Sequence, residues 1–399
     1  MKWLVLTFAF IFAASNGWCA RKISIGELED MLRSMQQEKK SDVEIATALK
    51  QLELSQELTR GTMNSVVSYV PGPLSIEQIY VLEARSADLA PPDSDLPSTP
   101  APDAAVQKAI LEKVAGYVGE TYAQLASLTA TKTTLRFQDN VEAIAASSGV
   151  QGGATDVVVS AGFSNPATYV HYINSSKAQI TSVHGAEKWP LERDRTPWGA
   201  NKMIALEAPD ASVVDVLKEA QSAESLQWLR WELINGKPAA VFAFTVPQKK
   251  SHLDVNVCCF PNITQAGIAT FYTGTTAATL GGGASGGGGV AGNFQTSTDW
   301  HNFRTTAAYH GELFINPDSG IVLRMITEAE LKPSEVVHEL DTRVDFGPVK
   351  VNNQLVVVPV KTFVNTLVVP YGDSGAATYT TRRTLFTSEY KDYAQAGAK

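Results

Sequence analysis

The sequence predicts an α+β protein: a large curved antiparallel sheet, open as a half-barrel, with helices over one face and a helical segment ahead of it. Three observations carry this prediction. Closely spaced β-rich runs joined by hairpin turns fill the second half of the chain, as in "LQWLRWELINGKPAAVFAFTV". Stretches of helical period, opened by capping residues, precede them. No helical stretch separates the successive hairpin strands, which excludes a parallel βαβ sheet for that half.

Taken in order, residues 1–20 read as a secretory signal. Lys2 supplies a positive start, Trp3 to Ala14 a short apolar stretch, and Ser15, Asn16 and Gly17 a small polar exit. That stretch falls short of the roughly 20 residues needed to cross a bilayer, and no later run approaches that length. The mature chain is therefore expected to be periplasmic or secreted, with no transmembrane segment. Trp18, immediately before Cys19, argues against lipid acylation of that cysteine. Cys258 and Cys259 are adjacent in "VNVCCF", and a strained vicinal disulfide and two free thiols both stay open.

Residues 21–86 form the expected helical segment. "SDVEIATALKQLELSQEL" begins with Ser41 and Glu44 at capping-box spacing and continues with Val43, Ile45, Ala46, Leu49, Leu52 and Leu54 in helical rhythm. "SIEQIYVLEARSADL" repeats the pattern with Ser75 as its cap. These helices need something to pack on, either each other or the sheet. Residues 87–103, "ADLAPPDSDLPSTPAPD", read as a proline-rich linker with little to bury. The main domain is expected over 104–393, opening with a helix from Ala104 to about Leu128.

Strands follow. "TKTTLRFQD" and "TDVVVSAGF" are β-branched and alternating, and a short helix is predicted at Asp210 to Ala223. Asn235–Gly236 suits a type I′ hairpin turn, because both positions tolerate positive φ. Further hairpins are predicted at "AYHGELFINPDSGIVLRMIT" and at Asn352–Asn353, with a last strand in "TYTTRRTLFTSEY". "SEVVHELDTRVDF" places Val336, His338, Leu340, Thr342, Val344 and Phe346 on an inward face. Glu335, Glu339, Asp341, Arg343 and Asp345 fall on a face expected to meet water.

The run "TLGGGASGGGGVAGNF", residues 279–294, contains the literal spelling Gly281-x-Gly283-x-x-Gly286 of a dinucleotide fingerprint. That fingerprint needs a helix immediately after it, and "VAGNFQTSTDW" has no helical period. It also lacks the Gly-Lys-Ser/Thr of a phosphate loop. The run reads as a connecting loop, with a gate beside a cleft as the sharper alternative.

The formal net charge of −8 argues against nucleic acid as a partner. His252 with Asp254 and His310 with Glu312 each share a strand face, but no metal motif supports them. Gly283-Ala-Ser285-Gly-Gly287 spaces its glycines like a nucleophile elbow, yet lies in slack chain. No catalytic residue, metal site or cofactor is expected, and the chain is expected not to be an enzyme. The binding candidates are apolar: Leu229, Trp231 and Leu233 on one hairpin strand, Phe242, Phe244 and Val246 on its partner, and His338 as a polar guest. A curved sheet under helices can leave an apolar cavity between such residues.

The helix "AAVQKAILEKVAGYVGETYAQL" and the hairpins "WELINGKPAAVFAF" and "YHGELFINPDSGIVLRMI" give an order of elements that resembles the lipoprotein-localisation carriers of the bacterial periplasm (LolA/LolB-like) over residues 104–393. Secreted bacterial proteins of unassigned function look closer still, sharing an "ISIGELEDML"-like start. The resemblance implies an unclosed barrel that holds acyl chains without catalysis. It transfers no individual site residue. The functional expectation is a hydrophobic small molecule or acyl chain in the half-barrel. The alternative is an envelope scaffold with a packed sheet, docking a protein partner through residues 21–86.

Overall fold

The computed structural model describes residues 21–87, 89–122, 127–138, 170–183, 186–188, 205–207, 212–261, 300–332, 335–368 and 382–396. The signal segment 1–20, the glycine run 279–294 and the strand predicted at 155–163 lie outside the described residues, as do the side chains of Cys258 and Cys259.

The N-terminal lobe comprises β1 (Arg21–Ile23), α1 (Ile25–Gln37), α2 (Asp42–Lys50), β2 (Leu52–Leu54), α3 (Arg60–Ser68) and α4 (Pro73–Arg85). Capping boxes open the first two helices: Ser24 with Glu27, and Ser41 with Glu44, each exchange both hydrogen bonds. Three expectations need correction. Leu52 and Leu54 leave the helical rhythm and form β2, which pairs parallel with β1; the alternation buries both leucines while Glu53 stays exposed. Val43 is 60% exposed, so it takes no part in the buried stripe of α2. Ser75 is not a cap. Gly72 holds the N-cap position of α4, and the Asp42 carboxylate accepts from the N–H groups of Leu74 and Ser75 at 3.0 and 2.9 Å. A carboxylate from the neighbouring helix thus satisfies N–H groups left open at the start of α4. Leu28, Leu32, Ile45, Leu49, Val66 and Ile79 close a core belonging to this lobe alone.

The linker buries more than its composition suggests. Pro91 and Pro92 are buried, and the Ala90 carbonyl accepts from the Glu57 N–H at 2.8 Å, which ties the linker back to the lobe. Asp103 then caps α5 (Ala104–Tyr117). That helix stops well before Leu128, ending in a π-turn over Val118–Tyr122.

The remaining elements are β3 (Leu128–Gln138), β4 (His171–Val183), β5 (Ala186–Lys188), β6 (Ala205–Glu207), α6 (Val213–Ser222), β7 (Gln227–Ile234), β8 (Lys237–Val246), β9 (Asp254–Pro261) and β10 (Trp300–Thr306). They continue with β11 (Ala308–Ile315), β12 (Val322–Glu330), β13 (Val337–Val351), β14 (Gln354–Val368) and β15 (Arg382–Gln395). Ten strands form one antiparallel sheet in the order β5-β4-β3-β15-β14-β13-β12-β11-β8-β7. Among the described residues its two edges, β5 and β7, do not pair, so the sheet is open rather than closed into a barrel. A smaller sheet has the order β10-β9-β6.

The hairpin turns form where their residues predict them. Asn235 and Gly236 take φ of 51° and 75°, and Asn352 and Asn353 take 49° and 65°. Gly320, at φ 74°, closes the β11–β12 loop against α5; a Cβ there would stand 2.5 Å from the Lys113 carbonyl. Only glycine allows that approach.

Each face of the large sheet is covered over part of its area, while consecutive residues of β4, Lys177 to Gln179, stay exposed. On one face, Ile110 and Val114 of α5 and Val213, Val216 and Leu217 of α6 join Phe242, Leu313, Met325, Leu340 and Val364 in the main core. On the other, Val81, Ala84 and Ala87 at the end of α4 pack against Phe137, Phe363 and Leu385. The N-terminal helices therefore do both things open to them: they form a core among themselves and lie on the sheet. The face of β13 expected to meet water is accordingly covered around Arg343, which is 4% exposed, while the Glu339 side chain does meet water, 41% exposed. The register of β13 against β14 also slips twice, between Val337 and Glu339 and between Asp345 and Phe346. The bulge between Val337 and Glu339 buries Val337 fully in the main core with Leu340, while Val336 packs against that core only partly buried.

Candidate functional site

The apolar candidates separate in the structure. Phe242, Phe244 and Val246 are buried in the main core, under α6. Trp231 is half-buried against the same core, and its indole Nε1 donates to the Pro100 carbonyl at 3.0 Å, so the linker lies over it. Leu233 is half-buried on β7. Leu229 does not join this group. It sits in a bulge between Trp228 and Arg230 and is 45% exposed. Trp228 occupies the inward position instead, edge-on to Trp231 at 4.9 Å and to Phe242 at 5.5 Å. His338 lies on β13, separated from β8 by β11 and β12. Its Nε2 is buried with no hydrogen-bond partner among the described residues, and the bulge at its position re-aims this stretch of strand.

The predicted histidine–acid pairs take other partners. His252 Nδ1 meets Glu219 at 2.9 Å, while Asp254 pairs with Arg304. His310 stands between Glu328 and Glu330, and Glu312 accepts Arg230 through both carboxylate oxygens. Among the described residues no cluster of three or more His, Cys, Asp or Glu is arranged to hold a metal.

What the sheet and the N-terminal lobe build together is polar. Alternation along β12 and β13 projects Arg324, Arg343 and Asp345 toward the N-terminal lobe. Glu57, 2% exposed, enters from the segment after β2. Its carboxylate accepts from Arg324 at 3.1 Å and from Arg343. Asp345 accepts from Arg324 at 2.8 Å and from Arg343 at 3.1 Å. Glu232 and Arg230 extend the network to β7. The faces of Phe363 and Phe314 lie under the Arg343 and Arg324 guanidinium groups at 5.0 and 5.3 Å. Burial by itself would raise the Asp345 pKa, but the two arginines overcome it and hold the carboxyl well below the usual range. A second tie joins Lys361 of β14 to Glu83 of α4 at 2.7 Å.

Beside this network, β1, β2 and the end of α4 face β14 and β15 across a cleft of about 310 Å³. Its charged lining is Lys22, Glu53, Arg85 and Arg383; Leu54, Leu82, Leu89 and Leu385 supply an aliphatic wall. Arg85 donates to Glu53 at 2.7 Å. Arg383 donates to the Asn365 Oδ1 at 2.8 Å and pairs with Glu339, also at 2.8 Å. Asn365, in turn, donates through Nδ2 to Asp341 at 2.8 Å. Burial, with the neighbouring Glu328 and Glu339 charges adding to it, pushes the Asp341 carboxyl up to about 6.

The sign of that shift sets a testable pH dependence. A raised pKa means that the folded state binds the proton more tightly than the unfolded chain. Stability therefore falls as pH rises from 3.8 to about 6, and the deficit persists above that window. Asp341→Asn removes it. Discounted for the partial exposure of the group, the variant is expected to gain about 1–2 kcal/mol at pH 8 and nothing below roughly pH 4. Urea unfolding at the two pH values checks this; an equal effect at both would contradict it.

Sequence reasoning missed this cleft because its lining runs from residue 22 to residue 385 and no local motif joins the pieces. The one signal available was the charged face of β13, read as solvated. No protein-family model matches the chain, and no match to a curated protein or to a solved structure is significant.

Proposed function

We propose that this chain is an exported, non-enzymatic binding protein that holds a small amphiphilic molecule between its N-terminal lobe and its sheet. The observation that carries the reading is the cleft of about 310 Å³ to which both lobes contribute charged groups and leucines. A volume of this order is at the lower end of small-molecule sites. Burying the ligand's apolar part against the leucines would contribute about 25 cal/mol per Å² before ordering costs. The order of helix and hairpins, similar to that of the lipoprotein carriers, supports a hydrophobic or acyl cargo. The filled core around Phe242 and Phe244 moves the expected site from the sheet's α5/α6 face to the interlobe cleft.

That same filled core favours a second reading, an envelope scaffold without a small ligand. Native mass spectrometry of the mature protein from its own source, followed by organic extraction, separates the two. The expected result is a bound organic mass on the wild type that is lost in Leu89→Trp, which fills the cleft from a half-buried position. A bound mass that survives Leu89→Trp would move the ligand elsewhere. A clean apo mass together with no uptake of added amphiphile would establish the scaffold.

A further inference from the structure

We infer that the interlobe cleft selects a short aliphatic carboxylate, with its head group at Lys22 and its tail along Leu82, Leu89 and Leu385. The inference rests on the binding reading above and names the ligand class for the same cleft.

Charge decides the head group. The lining carries three cations, Lys22, Arg85 and Arg383, against one carboxylate, Glu53. Glu53 is already taken by Arg85, and Arg383 is paired with Glu339. Lys22 lies next to this arrangement, because β1 and β2 pair with Lys22 opposite Glu53. Among the described residues it makes no ion pair of its own. The neutral polar groups of the cleft are committed as well. Asn365 accepts from Arg383 and donates to Asp341, while the Ser86 hydroxyl donates to the Glu83 carbonyl and accepts from the Leu58 N–H. The cleft is thus left with an uncompensated ammonium and no spare carboxylate, which favours an anion and disfavours an amine.

Volume and wall decide the tail. Leu82 and Leu385, 3% and 2% exposed, belong to the packed cores on either side and form the firm floor of the cleft with their edges, while the half-buried Leu89 offers it the most open apolar surface. A space of about 310 Å³ equals roughly ten water volumes, which suits a ligand of about ten non-hydrogen atoms. Octanoate is of that size, whereas a long-chain phospholipid is not.

The test titrates the full mature chain with octanoate, 1-octanol and octylammonium by isothermal calorimetry, in wild type, Lys22→Ala, Lys22→Arg and Leu89→Trp. Octanoate is expected to bind about tenfold or more tightly than 1-octanol, the equivalent of one charge-assisted hydrogen bond. Octylammonium is expected to bind more weakly still. Lys22→Ala should bring octanoate down to the level of 1-octanol, Lys22→Arg should restore the preference, and Leu89→Trp should remove binding of both. The Lys22 side chain is exposed, so its removal leaves the fold intact. Equal binding of octanoate and 1-octanol, or no change in Lys22→Ala, would overturn the anionic head group while the binding reading stands. Binding that survives Leu89→Trp would overturn the location. No binding of any of the three would overturn this inference; the binding reading falls with it only if the native mass spectrum also shows a clean apo protein.

Discussion

Arg343→Met is expected to lower the free energy of unfolding by about 3–5 kcal/mol, the scale for removing one partner from a buried charge network. Arg343 is 4% exposed and divides its guanidinium between Glu57, Asp345 and the Ala87 carbonyl. Methionine keeps much of the volume over Phe363 but leaves two carboxylates sharing Arg324. Two carboxylates beside one arginine in a buried site are held far from water without full compensation. The loss should fall on the docking of the N-terminal lobe, because Glu57 is its charged anchor. That lobe has its own core, so the variant is expected to split unfolding into two transitions, against the single one expected of the wild type.

The pH dependence supplies an independent readout. Asp345 is depressed below its usual 3.8, so it contributes stability that is present above that value and lost as pH falls. Without Arg343 the depression shrinks, and acid unfolding should begin at higher pH. Urea unfolding followed by near-UV and far-UV circular dichroism at neutral and acid pH measures both effects. A cost under about 1 kcal/mol with one transition would show that the network does not join the lobes.

Phe242→Ala is expected to cost about 3–5 kcal/mol, as for truncating an aromatic side chain in a packed core. Phe242 is 1% exposed, edge-on to Trp228, and covered by α6. The magnitude also decides a functional question. Were Phe242 the wall of an open apolar cavity, truncation would remove few contacts and the cost would fall below about 2 kcal/mol, since the penalty grows with the void created. Thermal unfolding of Phe242→Ala, with octanoate affinity measured beside it, separates packing from binding. The expected pattern is a large loss of stability with unchanged affinity, because the cleft lies on the opposite face of the sheet. The reverse pattern would return the ligand to the α5/α6 face.

How far the sequence could be read depended on the range of each signal. Local signals carried well. The capping boxes at Ser24 and Ser41 and the positive-φ turns at Asn235–Gly236 and Asn352–Asn353 form where the residues predict them. Such features depend on a few neighbouring backbone groups and a side chain within reach. Period-based readings failed where one residue was inserted. The bulge at Leu229 moves Trp228 into the inward position, and the bulge before Glu339 brings Val337 into the core. A bulge changes which residues face inward from that point on, and nothing in the alternating pattern announces it. Leu52 and Leu54 fit a helical spacing as well as a strand, and only pairing with Arg21–Ile23 chose between the two.

The candidate site shows the same division more sharply. The apolar residues of β8 were legible as inward-facing, but whether inward meant a cavity or a core depended on α5 and α6, which pack there and close it. The charged side of β13 was legible as a face. Its meaning was reversed by a lobe more than 250 residues away in sequence, which brings Glu57 to Arg343.

By itself the sequence determined the class of fold, the hairpins, the helical caps and the order of helices before sheet, because these follow from local propensity, turn chemistry and periodicity. Tertiary structure alone decided that helices pack on both faces of the sheet, that Phe242, Phe244 and Val246 are core, and that Lys22, Arg85 and Arg383 meet around one cleft. The physical reason is that a charged stripe is equally compatible with water and with a complementary stripe on another element. The stripe carries no record of which it will meet; only the docked lobe, with its matching carboxylate, settles the choice.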